Sequence, residues 1–306
     1  MQHFAPATLR DFVTVHATIR GGRLNGSPVF RNLRRRVVRV LARDGETVAV
    51  RTDGGFVLRV PANDLHLMRE LLGGTLFEPS VARALELVVR PGDTVVDGGA
   101  HVGFFTIVSA RRVGPSGWVI AFEPDPDNAR HWRRNVELNQ LRARVVLSEA
   151  ALGDRTGTAT FHRSRSLSTH GSLLSSSTTD GSSDIVQTIA LDEYVAEHGH
   201  RVDVIKLDLE GAEAIALNGM RESISQARCV IFELNAAPLR ELRIAPEHLV
   251  ARVLECGRFR EACVLQVDSD AFLPLDRLSA ELERRSWANV MAVRDGIDSL
   301  ARMDAL

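Results

Sequence analysis

The chain holds a single lysine, Lys206, although lysine and arginine together number 38 of its 306 residues. A sequence so biased toward arginine either keeps one compact ammonium where a guanidinium, wider and never deprotonated, is not equivalent, or retains a single lysine by drift. Cysteine is scarce too. Cys229, Cys256 and Cys263 are odd in number and lack metal-ligand spacing, which excludes a disulfide scaffold or zinc ribbon and leaves reduced, structural thiols. No apolar run approaches the roughly 18 residues of a membrane helix, and Met1-Gln2-His3-Phe4 does not open a signal peptide, so the expectation is a cytoplasmic chain with no membrane partner. The formal net charge of -1 offers no general attraction to nucleic acid. The local run Arg31, Arg34, Arg35, Arg36 and Arg39 reads as a solvated face of an N-terminal element, with an acidic partner as the alternative. What is plentiful is core material: 44% hydrophobic residues suffice for one large α/β domain with an appendage.

The densest signal is Thr94-Val95-Val96-Asp97-Gly98-Gly99-Ala100-His101-Val102-Gly103. A β-branched run ending in an acid and small residues reads as a buried parallel strand turning tightly into a helix near Phe104. Gly99 and Gly103 remove side chains where a ligand would touch the main chain. Glu123, 20 residues beyond Gly103 at the end of the apolar run Trp118 to Phe122, is placed to accept hydrogen bonds from ribose hydroxyls. A dinucleotide fingerprint needs Gly-x-Gly-x-x-Gly, but here His101 stands where a pyrophosphate would approach. The spacing Asp-x-Gly-x-x-x-Gly instead suits S-adenosylmethionine, which has no phosphate. A nicotinamide enzyme and a cofactor-free strand turn stay open on this motif alone.

Before that motif, Val37 to Leu41, Thr47 to Arg51 and Phe56 to Val60 read as a small antiparallel meander, with turns at Asp44-Gly45 and Asp53-Gly54-Gly55. Asp64 to Leu72 and Val81 to Val89 read as helices. Residues before the meander offer only the turn Gly21-Gly22. After the motif, strands and helices alternate: a helix capped by Asp125-Pro126 running to Asn139, then strands at Val145 to Leu147, Val202 to Leu207 and Cys229 to Leu234. The last two strands flank a helix over Ala212 to Met220; a helix Glu247 to Glu255 and strands Ala262 to Val267 and Asn289 to Val293 complete the pattern. Residues 164–183 break it. They are rich in serine and threonine without apolar periodicity, a flexible loop or a substrate-side lid.

Taken in order, these motifs resemble the FkbM family of S-adenosylmethionine-dependent methyltransferases. The resemblance runs over residues 77–235: Phe77-Glu78, the Asp97 to Gly103 turn, Phe122-Glu123-Pro124-Asp125-Pro126 with Asn135 and Asn139, Ala150-Ala151-Leu152-Gly153-Asp154, Thr188 to Asp192, Asp203 to Glu213, and Phe232-Glu233. It implies a Rossmann-like class I methyltransferase fold of about seven strands, mostly parallel with the last antiparallel, behind a small strand-rich N-terminal cap. Residues 1–76 would then be a cap, substrate or oligomerisation segment, and 77–306 the cofactor-binding domain. The resemblance also implies cofactor contacts from Phe77, Glu78, Asp97, Gly98, Gly99, Ala100, His101, Gly103, Thr106, Glu123, Pro124, Ala150, Ala151 and Asp208. The chain departs from the family at His101, where asparagine is usual.

Methyl transfer from a sulfonium is an in-line displacement, so the protein must align donor and acceptor and handle one proton. In strand periodicity Lys206, Asp208 and Glu210 share a face, and with Glu213 they are the expected catalytic set. The competing reading is an ion-pair network that fixes the turn. A divalent metal held by Asp208, Glu233 and Asn235 is an open alternative, disfavoured because Lys206 would repel it. The expected partner is a hydroxylated small molecule such as a sugar or polyketide. N-methylation of an amino sugar and cofactor binding without turnover are the other readings, and a homo-oligomer stays open. No Asn/Asp-Pro-Pro-aromatic motif is present for a flipped base, so nucleic acid is not an expected substrate.

Overall fold

The structure, a computed structural model, describes residues 39–43, 47–52, 54–62, 64, 67, 78–141, 143–163, 171–175, 181–267, 269 and 271–296. Three strands come first, β1 (Arg39–Arg43), β2 (Thr47–Arg51) and β3 (Val57–Pro61), paired antiparallel in sequence order. Helix α1 (Pro79–Val88) leads into β4 (Thr94–Gly98), all five residues of which are buried. Then follow α2 (Phe104–Val113), β5 (Trp118–Phe122), α3 (Pro126–Leu138), β6 (Arg144–Ser148), β7 (Ala151–Leu152), β8 (Gly157–Arg163), β9 (Gly171–Ser172) and β10 (Ser182–Ile189). The rest comprises α4 (Leu191–Glu197), β11 (Val204–Leu207), α5 (Glu213–Ala216), α6 (Arg221–Gln226), β12 (Cys229–Asn235), α7 (Ala236–Glu241), α8 (Pro246–Gly257), β13 (Glu261–Leu265), β14 (Phe272–Pro274), α9 (Leu278–Arg285) and β15 (Trp287–Val293).

The main sheet runs β14-β13-β15-β12-β11-β4-β5-β6. From β12 to β6 all neighbours are parallel, whereas β15 is antiparallel to both β12 and β13. This is the class I methyltransferase sheet. Successive residues feed opposite faces: Val95, Val204 and Ile231 enter one apolar core, and Val96, Ile205 and Val230 the other. Burial on both faces explains why these strands read as continuous apolar runs. The chain winds outward from β4 to β6, then crosses to β11 on the other side of β4. That reversal opens a crevice at the carboxyl ends of β4 and β11, where ligands of such sheets bind.

The main sheet agrees with the expectation of about seven strands, with Phe272–Pro274 adding an eighth, β14, at the edge. Other expectations need correction. The helix expected over Ala212 to Met220 is a four-residue α5 followed by a 3-10 turn at Leu217–Gly219; Asn218-Gly219 supplies two poor helix formers. The segment 164–183 is not a plain loop. Gly171–Ser172 pairs with the end of β8, and Ser182 onward pairs along β8, giving a second sheet of order β7-β10-β8-β9. Its strands are mostly exposed and polar, so no apolar alternation announced them. Residues 164–170 and 176–180 lie outside the described residues, as do the Gly21-Gly22 turn, the basic run apart from Arg39, and the expected Asp64 to Leu72 helix apart from Asp64 and Leu67. Among the described residues, no helix is long and apolar enough to cross a membrane.

Candidate active site

A cavity of about 840 Å3 opens at the crevice, within the size range of small-molecule sites. Its floor is the turn after β4. Gly99, His101 and Gly103 all have positive φ, at 71°, 49° and 92°. Gly99 and Ala100 both donate their N–H groups to Phe122 O at 3.0 Å, which ties the turn to the end of β5. The glycines are needed by the chain's own packing: a Cβ on Gly99 would lie 1.8 Å from Asp208 O, and one on Gly103 would lie 3.0 Å from the Trp132 ring.

Glu123 forms one wall. Its carboxylate accepts the His101 N–H at 2.8 Å and the Asp125 N–H at 2.9 Å, with Asn128 Nδ2 at 3.5 Å. Burial pushes its pKa up to about 7, against the opposing effect of those backbone donors. Oε1 takes both the Asp125 and the Asn128 donors, whereas Oε2 takes the His101 N–H and keeps a lone pair for a further donor. Next to it Asp125 caps α3, accepting from Asp127 N and Asn128 N at 2.8 and 3.3 Å, with Pro126 in the first turn.

Lys206 and three carboxylates form the opposite wall. Lys206 is 3% exposed; its Nζ lies 3.2 Å from Gly99 O, 3.3 Å from Asp208 Oδ2, 3.5 Å from Asp97 Oδ1 and 4.9 Å from the centre of the Phe105 ring. Burial alone would lower its pKa, but Asp208, Asp97 and Glu78 outweigh that and hold it above the ordinary lysine range. The ammonium therefore stays charged, which removes Lys206 as a proton acceptor and leaves it as a fixed cation. Strand periodicity does not carry the rest of the set: β11 ends at Leu207, and the chain turns through Glu210 at φ 52° and Gly211 at φ 95°. That turn swings Glu210 toward β12. Among the described residues, Asp208, Glu210 and Glu233 bring one carboxylate oxygen each within 4.8 Å of one another. Burial, reinforced by the neighbouring acids, raises both Glu210 and Glu233 well above the usual carboxylate range. Asn235, expected as the third oxygen ligand, lines the cavity, and Glu210 joins Asp208 and Glu233 in the cluster.

Other expected site residues fall into two groups. Glu78, Ala100, His101, Pro124 and Ala151 line the cavity with Gly99, Glu123, Lys206, Asp208 and Glu210. Asp97, Gly98, Gly103, Thr106, Ala150 and Glu213 do not. Asp97 is buried beneath the floor, where it accepts a hydrogen bond from Thr106 Oγ1 at 2.5 Å while Trp132 Nε1 donates to that hydroxyl at 2.9 Å. Glu213 accepts the Leu209 N–H at 2.6 Å and so braces the turn, with burial pushing its pKa to about 7. Phe77 lies outside the described residues.

The cavity is also lined by residues outside the expected contact set. Thr47, Pro61, Asp64 and Leu67 line it from the N-terminal side, and Phe161, Arg163, Gly171, Ser172, Leu173 and Ser182 from the second sheet. Arg163 bridges Asp125 and Asp184, each at 3.3 Å, and so links that sheet to the cap of α3. His101 feels Asp64 and Asp208 as well as Lys206 and His131; burial dominates and lowers its pKa to about 4, so its ring is neutral near pH 7. No spacing in the sequence linked Asp64 or His131 to this turn.

Comparison with known proteins identifies the family. The Methyltransferase FkbM domain matches residues 97–259. The 2-O-methyltransferase NoeI of Sinorhizobium fredii is 27% identical over 204 residues, 60% of this chain and 75% of the relative. The hexuronic acid methyltransferase AglP of Haloferax volcanii is 27% identical over 205 residues, 66% and 77% of the two chains. Among solved structures, an S-adenosylmethionine-dependent O-methyltransferase from Thermotoga maritima aligns with a TM-score of 0.40 at 16% identity, covering 80% of this chain and 77% of that one.

Proposed function

The chain belongs to the FkbM methyltransferase family and is an S-adenosylmethionine-dependent methyltransferase, and on that premise we propose that it methylates a hydroxyl of a small polyhydroxylated acceptor, a sugar or sugar acid. Two relatives, named as a 2-O-methyltransferase and a hexuronic acid methyltransferase, support this acceptor class.

The observation that carries the reading is the pairing of a ribose-type carboxylate, Glu123, with a wall of Lys206, Asp208, Glu210 and Glu233 on one cavity. In this reading the donor lies along the floor with its ribose hydroxyls on Glu123, and its methyl group faces the acid wall. The acceptor hydroxyl presents its oxygen to the sulfonium methyl. A carboxylate of that wall takes the hydroxyl proton, and the Lys206 ammonium stabilises the negative charge that develops on oxygen. Lys206 also steadies Asp208 at 3.3 Å, so that carboxylate arrives oriented. Such alignment supplies much of the rate in a displacement that needs little covalent help.

The test is incubation with S-adenosylmethionine and a panel of sugars, sugar acids and amines, read by mass spectrometry and by NMR of the new methyl group. A methyl ether on an acceptor hydroxyl oxygen is expected. A methyl on nitrogen, or S-adenosylhomocysteine binding with no product from any acceptor, contradicts the reading.

A further inference from the structure

Among the described residues, the acid wall gathers three carboxyl groups beside the Lys206 ammonium. Lys206 touches Asp97 and Asp208, the latter through Oδ2, yet Glu210 and Glu233 crowd against the same place. Carboxylates so close repel one another unless a cation or protons sit among them. Glu233 is 8% exposed, lines the cavity, and its Oε2 has no hydrogen-bond partner. A buried, unpartnered carboxylate oxygen is costly, and a cation lodged among these acids beside the cavity would complete it.

We propose that Asp208, Glu210 and Glu233 bind a divalent cation of the hard, oxygen-preferring class, such as magnesium or manganese. The three oxygens, all within 4.8 Å of one another, can be reached by one ion at the roughly 2.0–2.6 Å ligand distances of these metals. Three carboxylates without sulfur or imidazole among them favour this class over zinc or copper. Asn235, on the same cavity at the end of β12, offers a further amide oxygen nearby. Lys206 does not close the site, because it engages Asp208 from the side of Gly99 and Asp97 and is not paired with Glu233.

The inference deepens the proposed O-methylation and rests on it for its role: the ion would sit where the acceptor oxygen meets the acid wall, and would hold that oxygen and favour its ionised form. Lys206 would then mainly orient Asp208.

The test is independent of turnover. Mn2+ is titrated into metal-stripped protein, with and without S-adenosylhomocysteine, and free Mn2+ is followed by its electron paramagnetic resonance signal. One ion bound per chain, displaced by Mg2+, is expected. Glu233→Gln and Glu210→Gln, which keep side-chain size, should each weaken binding roughly tenfold or more, while S-adenosylhomocysteine affinity and the thermal midpoint show that the variants fold. A free Mn2+ signal equal to that in buffer alone, or equal binding by both folded variants, overturns the proposal. Metal binding without methyl transfer to any hydroxyl would instead count against the O-methylation reading and leave the site standing.

Discussion

Asn135 on α3 and Asn139, one turn on at its C-cap, bind the open edge of β3 as a neighbouring strand would. Asn135 Oδ1 accepts the Arg59 N–H at 2.6 Å and its Nδ2 donates to Arg59 O at 3.0 Å; Asn139 does the same for Val57 at 2.9 and 2.7 Å. The match is geometric: four helical residues rise about 6 Å, close to the spacing of alternate strand residues. Asn135 also donates to Val102 O at 2.8 Å, so one fully buried amide joins the N-terminal sheet to the cavity floor.

Replacing Asn135 by Ala strands several of those backbone groups. The expected loss is about 2–4 kcal/mol of stability in urea unfolding, with amide exchange at Val57 and Arg59 accelerating before the rest of the chain. An unchanged midpoint would show that the clamp adds nothing.

How far the sequence revealed this site depended on which physical signal each part uses. The parallel strands β4, β5, β11 and β12 were legible because burial on both faces leaves apolar runs, and the Asp97 to Gly103 turn because its acid and glycines are closely spaced. The second sheet was hidden by its exposure: in Ser182–Ile189 only Val186 and Thr188 are buried. Lys206 and Asp208 were correctly read as neighbours. Glu210 reaches Glu233 through a left-handed turn that no periodicity encodes, and Glu213, expected beside them, faces the backbone instead.

Glu213 therefore separates bracing from chemistry. Glu213→Ala leaves the Leu209 N–H without its acceptor, so a loss of about 1–3 kcal/mol in stability is expected. Calorimetry should show S-adenosylhomocysteine affinity nearly unchanged in the folded variant; a selective collapse of cofactor binding at constant stability would mean that Glu213 reaches the ligand.

Lys206 should resist its most conservative replacement. Arginine keeps the charge but does not fit a site closed by Asp97, Asp208, Gly99 and Phe105, so Lys206→Arg should lower turnover by about 10²–10⁴-fold. Steady-state methyl transfer checks this, with the thermal midpoint as the control for folding. Full turnover in the variant would remove Lys206 from the acceptor chemistry.

The raised pKa of Glu123 sets a pH dependence for the donor. Ribose hydroxyls donate to a carboxylate, so binding favours the ionised form, and the free protein ionises Glu123 only as pH passes about 7. Affinity for S-adenosylhomocysteine should rise by roughly tenfold from about pH 6 to about pH 8, with a proton released on binding. His101, near 4, is already neutral throughout that window. Glu123→Gln should flatten the profile; an equally steep profile in that variant would assign the titration elsewhere.

Central to the account is that the cavity between the Gly99 to His101 turn and Glu123 holds the methyl donor. Calorimetric titration of S-adenosylhomocysteine into the wild-type chain and Glu123→Ala at pH 8 tests it most directly. The prediction is one ligand per chain, bound about 5- to 150-fold more weakly by the variant, the equivalent of about 1–3 kcal/mol for a lost charge-assisted pair. Equal affinities in the two proteins would contradict the placement of the ribose on Glu123, and no binding by the wild-type chain would contradict the site itself.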